Sequence, residues 1–315
     1  MTPVHSNPIK HAFLLIIHDY SEILETLIRL IDNEQNDIFI HIDRKTRQDL
    51  RQRILVLAHH SKICFVKRKK VYWGHISLVQ AEYLLFEAAK SNGPYLYYHL
   101  LSGNDLPIKS QNEIHEFFSE HKGLEFIGFS DNKMEDRMLY YWPFPRHLRG
   151  LCSNQKYIYR KINKLQSLIT TWFLSFQKKN GIKNRCFPSY WKGSEWVSLT
   201  DSAVAILLRY KCKILRCFRF ANCPDEHYKQ TILSLEAQNG APIHFATYGM
   251  VTSDPGTISG DIPYDARLID WSDGYLHDFT LDDWMRIMKS RAMFCRKIKD
   301  PALANKLFLH LTSVT

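Results

Sequence analysis

The chain has 315 residues, 45% hydrophobic and 13% aromatic, with a formal net charge of +10. That length and apolar content support one large core or two coupled lobes. The basic surplus suits nucleic acid, an anionic membrane or a phosphate-bearing small ligand, but no RNA-binding sheet signature, zinc-finger spacing or long Lys/Arg block is present, so a nucleic-acid partner is disfavoured.

The apolar run Ala12 to Ile17 is too short for a membrane span or a signal-peptide core, which gives the expectation of a soluble, cytoplasmic protein. The seven cysteines are odd in number and form no Cys-x-x-Cys pair. Free thiols in a reducing compartment are therefore expected.

In chain order, "HAFLLIIHD" reads as a buried strand ending in His18 and Asp19, and "SEILETLIRLID" as a helix with Ser21 as N-cap. "DIFIHID" is a strand ending in His41 and Asp43. "TRQDLRQRILVLA" is expected to be helical, "KICFVKR" a strand, and "HISLVQAEYLLFEAAKSN" a long amphipathic helix. "YLYYHLL" is an aromatic strand that stops at the turn Ser102-Gly103-Asn104-Asp105, with Pro107 beyond it. Ser110 and Glu113 have the spacing of a capping box. Strand–helix alternation with continuous apolar strands predicts a mostly parallel sheet covered on both faces. Ligands of such sheets bind beyond the strands' carboxyl ends, which groups His18, His41, Asp43 and the 102–105 turn around one crevice. Neither Gly-x-Gly-x-x-Gly nor a P-loop occurs, which disfavours the usual dinucleotide fold and a phosphate-cradling NTPase.

From about 123 to 192 the pattern is less regular, with loop chemistry at "YYWPFPRHLRG". The basic amphipathic helix over Lys161–Lys179 either packs on the body or lies on a membrane surface. "YWKGSEWVSLTDSAVAILLRY" reads as turn, short strand and a helix capped at Thr200; "NCPDEHYKQTILSL" begins another helix near Pro224. The C-terminal part reads as the strand "ARLIDW", a loop, and a helix ending in the basic "FCRKIKD".

Several residues admit two readings. Asp225 and Glu226 complement a helix dipole or carry chemistry. Glu195 is a surface partner for Lys192, or a carboxylate beside an aromatic sugar-stacking wall. Arg296-Lys297 is a solvated helix end or an anion site, and Trp73 is core or covers the crevice. The fifteen histidines show neither His-x-x-x-His nor His-Glu-x-x-His, so zinc hydrolysis has little support.

The blocks "VYWGHISLVQAEYLL", "YYHLLSGNDLPIKSQNEI", "KGSEWVSLT", "CPDEHYKQTIL", "LIDW" and "MFCRKIKD" follow one another as in the core-2/I-branching β-1,6-N-acetylglucosaminyltransferases and peptide O-xylosyltransferases. Over about residues 10 to 300 the chain resembles the shorter, soluble bacterial branch of that family. The resemblance implies an α/β, Rossmann-like GT-A fold with a mostly parallel central sheet, as one domain over 1–315. About 10–125 would be its nucleotide-binding half and about 126–300 its acceptor-binding and catalytic half. It implies inverting transfer from a UDP-sugar, N-acetylglucosamine first and xylose as the alternative, to a glycan or lipid-linked glycan; the charge pattern of the basic helix over Lys161–Lys179, by itself, suits peripheral membrane association. A relative that binds without turnover is the rival class.

On the same resemblance, His18, His41 and Asp43 fall where the family holds uridine and ribose, and Ser102, Gly103, Asn104 and Asp105 lie under the diphosphate and sugar. Trp196 and Trp271 are acceptor candidates. Glu226 matches the Pro-Asp-Glu base of the branching enzymes, and Glu195 the carboxylate used by the xylosyltransferases. Arg296 and Lys297 match the Arg-Lys of the bacterial Phe-Ala-Arg-Lys-Phe, which here reads Phe294-Cys295-Arg296-Lys297-Ile298. No Asp-x-Asp occurs, so no metal cofactor is expected. The membrane anchor, stem and disulfide framework of the Golgi members have no equivalent in this reading.

Overall fold

The computed structural model describes residues 9–144, 157–246, 265–271 and 274–313. Its centre is a five-stranded sheet of order β3-β2-β1-β4-β7. β1 (His11–Ile17), β2 (Asn36–Ile42), β3 (Lys62–Phe65) and β4 (Tyr98–Ser102) are parallel, in registers such as Phe13↔Ile38 and Leu14↔Leu100. The short β7 (Ser198–Leu199) joins β4 antiparallel. Alternation along β1 and β2 divides the core. Phe13, Leu15, Ile17, Ile38, Ile40 and Ile42 enter one apolar cluster, and Ala12, Leu14 and Phe39 the other.

α1 (Glu22–Ile31), α4 (Gln111–Glu120) and α11 (Pro301–Thr312) contribute to the first cluster. α3 (Ile76–Asn92), α7 (Asp201–Arg209), α8 (Lys211–Cys217) and α9 (Tyr228–Gln238) contribute to the second. The α/β architecture with a mostly parallel sheet therefore stands. The expected helix starts are present too. Ser21 accepts from Leu24 N, Ser110 and Glu113 form a capping box, and Thr200 accepts from Ala203 N.

A three-stranded sheet of order β5-β10-β9 sits beside the first. β5 (Leu106–Pro107) is antiparallel to β10 (Phe294–Arg296), which is parallel to β9 (Arg267–Ile269). β6 (Leu124–Glu125) pairs with β8 (His244–Phe245). The remaining helices are α2 (Arg51–Leu55), α5 (Asp136–Leu139), α6 (Tyr157–Lys179) and α10 (Trp284–Lys289), with 3-10 turns at Pro224–Glu226 and Leu281–Asp283.

Three expectations need correction. The helix expected across "TRQDLRQRILVLA" is confined to Arg51–Leu55. Its upstream residues are recruited by the end of β2, where Asp43 accepts from Lys45 N and Arg68 donates to the carbonyls of Asp43 and Thr46. The basic "FCRK" is not a helix end, because α10 stops at Lys289 and residues 294–296 form a strand between β5 and β9. The cysteines are not all free thiols: Cys186 and Cys217 form a disulfide, while Cys64, Cys212 and Cys295 form none among the described residues. Such a bond belongs more often to an oxidising compartment than to a reducing one. Cys152 and the end of the loop "YYWPFPRHLRG" lie outside the described residues. Among the described residues no helix is long and apolar enough to cross a membrane.

Candidate active site

The carboxyl ends of β1, β2 and β4 lie side by side, because these strands are neighbours in the sheet. Of the three residues grouped there from β1 and β2, only His18 is exposed, with Nε2 3.6 Å from an Asp19 carboxylate oxygen. His41 is fully enclosed, and its Nε2 accepts from Lys69 N at 3.0 Å. Burial pushes the His41 imidazole down to about 4, so it is neutral near pH 7. Asp43 is buried as well. It accepts from Lys45 N at 2.8 Å and Val71 N at 3.3 Å, and lies 3.3 Å from Lys45 Nζ. These two side chains therefore shape the 68–71 segment beyond the carboxyl end of β2.

The turn after β4 is built around Asp105. One of its carboxylate oxygens accepts from Ser102 N at 2.6 Å, and the other from Arg296 Nη1 at 2.7 Å. The same Arg296 nitrogen donates to Ser102 Oγ at 2.6 Å, and Ser102 Oγ accepts from Asn104 N at 3.2 Å. Ile298 N donates to Asn104 O at 2.9 Å, which fastens the chain after β10 to the turn. Gly103 sits close on β1, where an added Cβ would lie 3.4 Å from Ile17 Cγ2. The Arg296 guanidinium stands 4.3 Å over the Trp196 ring. Half-buried Lys297 has its pKa lowered, by burial first and then by the cations Lys299 and Arg296. Among the described residues its ammonium makes no ion pair within 4.0 Å. A compact cationic pair thus borders a turn of small polar residues.

Two candidate carboxylates approach from the second half of the chain. Gly193 makes this possible, since a Cβ there would sit 1.8 Å from Gly128 O. Its N–H donates to Glu226 O at 2.9 Å, and Gln230 Nε2 donates to Ser194 O at 2.7 Å, so the "KGSEW" turn and the 3-10 turn Pro224–Glu226 are locked together. Glu226 Oε2 lies 2.8 Å from Arg137 Nη1 and 3.8 Å from Lys192 Nζ, with 27% of the side chain exposed. Glu195 differs in kind. Its Oε1 is enclosed without a hydrogen-bond partner, and burial, with Asp225 and Glu82 nearby, pushes its pKa well up. Asp225 is likewise raised, by burial first and then by Glu226. Behind them Glu82 and Lys229 form a fully buried ion pair at 2.6 Å, and Tyr228 also donates to Glu82.

Trp196 is buried beneath Arg296, so its ring supports the guanidinium. Trp271 is 57% exposed just beyond β9, and Trp73 is 48% exposed beside Gly74, whose carbonyl accepts from Cys223 N. Glu195 is not a surface partner for Lys192, since that lysine faces Glu226. Sequence reasoning missed Arg137, which clamps Glu226, and Arg267, whose guanidinium donates to Leu100 O, Val197 O and Ser198 Oγ beneath the site. Nothing local marks either arginine. A hollow of about 660 Å³ lined by Asp131, Lys133, Arg137 and Trp142 adjoins the Glu226 clamp. Among the described residues no group of three or more His, Cys, Asp and Glu side chains is arranged to hold a metal ion.

Residues 11–143, which contain the first four strands and the 102–105 turn, match the family model Core-2/I-Branching enzyme. Over that span the chain is similar to the Core-2/I-Branching enzymes. Mouse beta-1,3-galactosyl-O-glycosyl-glycoprotein beta-1,6-N-acetylglucosaminyltransferase 4 is 33% identical over 106 residues, which is 33% of this chain and 23% of that protein. Human xylosyltransferase 1 is 26% identical over 129 residues, 39% of this chain and 13% of that protein. The core-2/I-branching match thus spans less than a quarter of either relative. The structure of mouse xyloside xylosyltransferase 1, apo form, aligns over 90% of this chain and 97% of that one, with a TM-score of 0.37 and 13% identity.

Proposed function

We propose that the protein is an inverting GT-A glycosyltransferase that transfers a sugar from a UDP-sugar to a glycan hydroxyl. The observation that carries the reading is the convergence of Arg296 with Ser102 and Asp105 at the carboxyl edge of the sheet, next to two carboxylates in contrasting surroundings. N-acetylglucosamine is the donor sugar of this reading. Xylose is the second, because the relatives carry both names. Peripheral attachment to a bilayer is compatible, since a lipid-linked glycan would then meet the crevice at the surface.

The acceptor oxygen attacks the anomeric carbon from the face opposite UDP, the bond from that carbon to the diphosphate breaks, and the acceptor proton passes to a carboxylate. Glu226 is the base of this reading. Its carboxylate carries its charge in ion pairs and remains partly open to an entering hydroxyl. Enclosed Glu195 favours its protonated form and is the alternative. His18 and the 68–71 segment shaped by His41 and Asp43 line the nucleoside end, and Trp271 is the exposed aromatic for the acceptor. Arg296 and Lys297 offset the charge that develops on the leaving diphosphate. No metal is assigned to that task, in keeping with the missing Asp-x-Asp.

The test is release of UDP from a panel of UDP-sugars, with and without EDTA. Glu226→Gln should lower kcat by about 100-fold or more while UDP still binds. An active Glu226→Gln beside an inactive Glu195→Gln exchanges the two roles. UDP binding without turnover of any donor favours the non-catalytic relative. Activity lost to EDTA and restored by Mn²⁺ rejects the metal-free reading.

A further inference from the structure

α6 is an unusual helix for a globular body. Over its 23 residues, Tyr157–Lys179, it contains no acidic residue. Its side toward the protein runs through Asn163, Gln166, Thr170, Phe173 and Gln177, which are buried or partly buried and spaced three or four apart. Gln177 fixes the C-terminal turn by donating to Tyr141 O and accepting from Tyr141 N, both at 2.9 Å.

A second stripe runs beside the first and faces away from the body. Ile162, Leu165, Leu168, Ile169, Trp172 and Phe176 recur at helical spacing and are 38–66% exposed, with the Trp172 and Phe176 rings stacked at 5.9 Å. At 100° per residue, Lys161 and Lys179 fall near the far edge of this stripe, between Leu168 and Trp172, and Lys164 about 40° beyond Leu168, all on the side away from the contact face. An apolar face this continuous marks an interaction surface. The lysines narrow the partner: two copies packed stripe to stripe would bring like charges together with no acid on either helix to offset them. An anionic, apolar-cored surface satisfies both features at once.

We propose that α6 docks in the interface of an anionic lipid bilayer, with the Leu165–Phe176 stripe among the upper acyl chains and its lysines on the phosphate headgroups. Lys178 pairs with Asp136 at 2.6 Å, and the next residue, Arg137, clamps Glu226. Docking would therefore hold the Glu226 side of the crevice near the bilayer. The consequence that the acceptor is lipid-borne rests on the transfer reading, whereas docking itself does not.

The test is flotation of the whole protein with phosphatidylglycerol/phosphatidylcholine vesicles and with phosphatidylcholine alone, read without turnover so that failure of docking and failure of transfer are distinguishable. Expected is binding to the anionic vesicles only. It should weaken about tenfold or more in Leu168→Glu/Trp172→Glu, and also in Lys164→Glu/Lys179→Glu, while melting temperature and UDP binding are kept. Binding undiminished by the apolar pair of substitutions, or no binding to anionic vesicles, overturns the proposal. A dimer on size exclusion that Leu168→Glu/Trp172→Glu dissociates assigns the stripe to a second copy instead.

Discussion

Arg296 shows how one side chain joins distant parts of the site. It meets Ser102, 194 positions earlier, Asp105 and the Trp196 ring. Asp105 is 1% exposed, so removing its partner leaves a buried charge uncompensated, a loss of about 3–5 kcal/mol. Arg296→Ala should lower both melting temperature and UDP affinity. Arg296→Lys should recover part of the stability but less of the affinity, because an ammonium cannot present two parallel donors to a phosphate. Calorimetry and UDP titration of both variants check this, and an Arg296→Ala protein with unchanged UDP affinity would remove the arginine from the donor site.

Glu125 gives a residue-scale pH prediction. It is 1% exposed and accepts from Thr200 N at 2.9 Å and Thr200 Oγ1 at 2.5 Å, and burial raises its pKa to about 7. The folded state holds the proton more tightly than the unfolded one. Its stabilising contribution is therefore full below the ordinary value of 4.5 and is lost as pH rises through about 7. Glu125→Gln cannot ionise and keeps the acceptor oxygen. Between about pH 5 and about pH 7 its melting temperature should lack the Glu125-linked fall that the parent protein shows. Equal slopes would contradict the assignment.

At the scale of elements, the seam between the "KGSEW" turn and the Pro224–Glu226 turn sets both carboxylates. Gly193 is required there by space, since its Cβ would overlap Gly128 O at 1.8 Å. Gly193→Ala should lower activity and melting temperature together, because the turn must retreat and Glu195 moves with it. Beneath the seam α3 and α9 are joined by Glu82 and Lys229, both fully buried. Lys229→Met should cost about 3–5 kcal/mol by leaving Glu82 alone, and Glu82→Gln in the same chain should restore part of it. Chemical denaturation measures both, and a Lys229→Met loss below about 1 kcal/mol would show that the pair carries little of the stability.

On the scale of the molecule, the sheet separates two apolar clusters, and the disulfide closes 31 residues on the α8 side. Chain entropy makes such a link worth about 3–4 kcal/mol. Reductant, or Cys186→Ser with Cys217→Ser, should lower the melting temperature markedly. An unchanged value in both would mean that the link contributes nothing to stability. The sequence could not assign this bond, because an odd cysteine count fixes no pairing and residue spacing says nothing of Cα–Cα distance.

What the sequence determined by itself was local. Alternation in β1 and β2, Ser21 and Thr200 as caps, the Ser110–Glu113 box and the polar turn after β4 follow from short-range sterics and hydrogen bonding, and they located the carboxyl edge of the sheet. The motif blocks also carried the Core-2/I-Branching resemblance that the family match bears out over residues 11–143. Tertiary structure decided the rest. His41 and Trp196 stand in the chain as ligand candidates, and folding buries both, His41 accepting from Lys69 N and Trp196 lying under the Arg296 guanidinium. Glu226 and Glu195 are alike as letters; Arg137, 89 positions away, gives one an ion pair, and enclosure denies the other a partner. The polarity of a carboxylate's surroundings is set by chain segments far apart in sequence, and only folding brings those segments together.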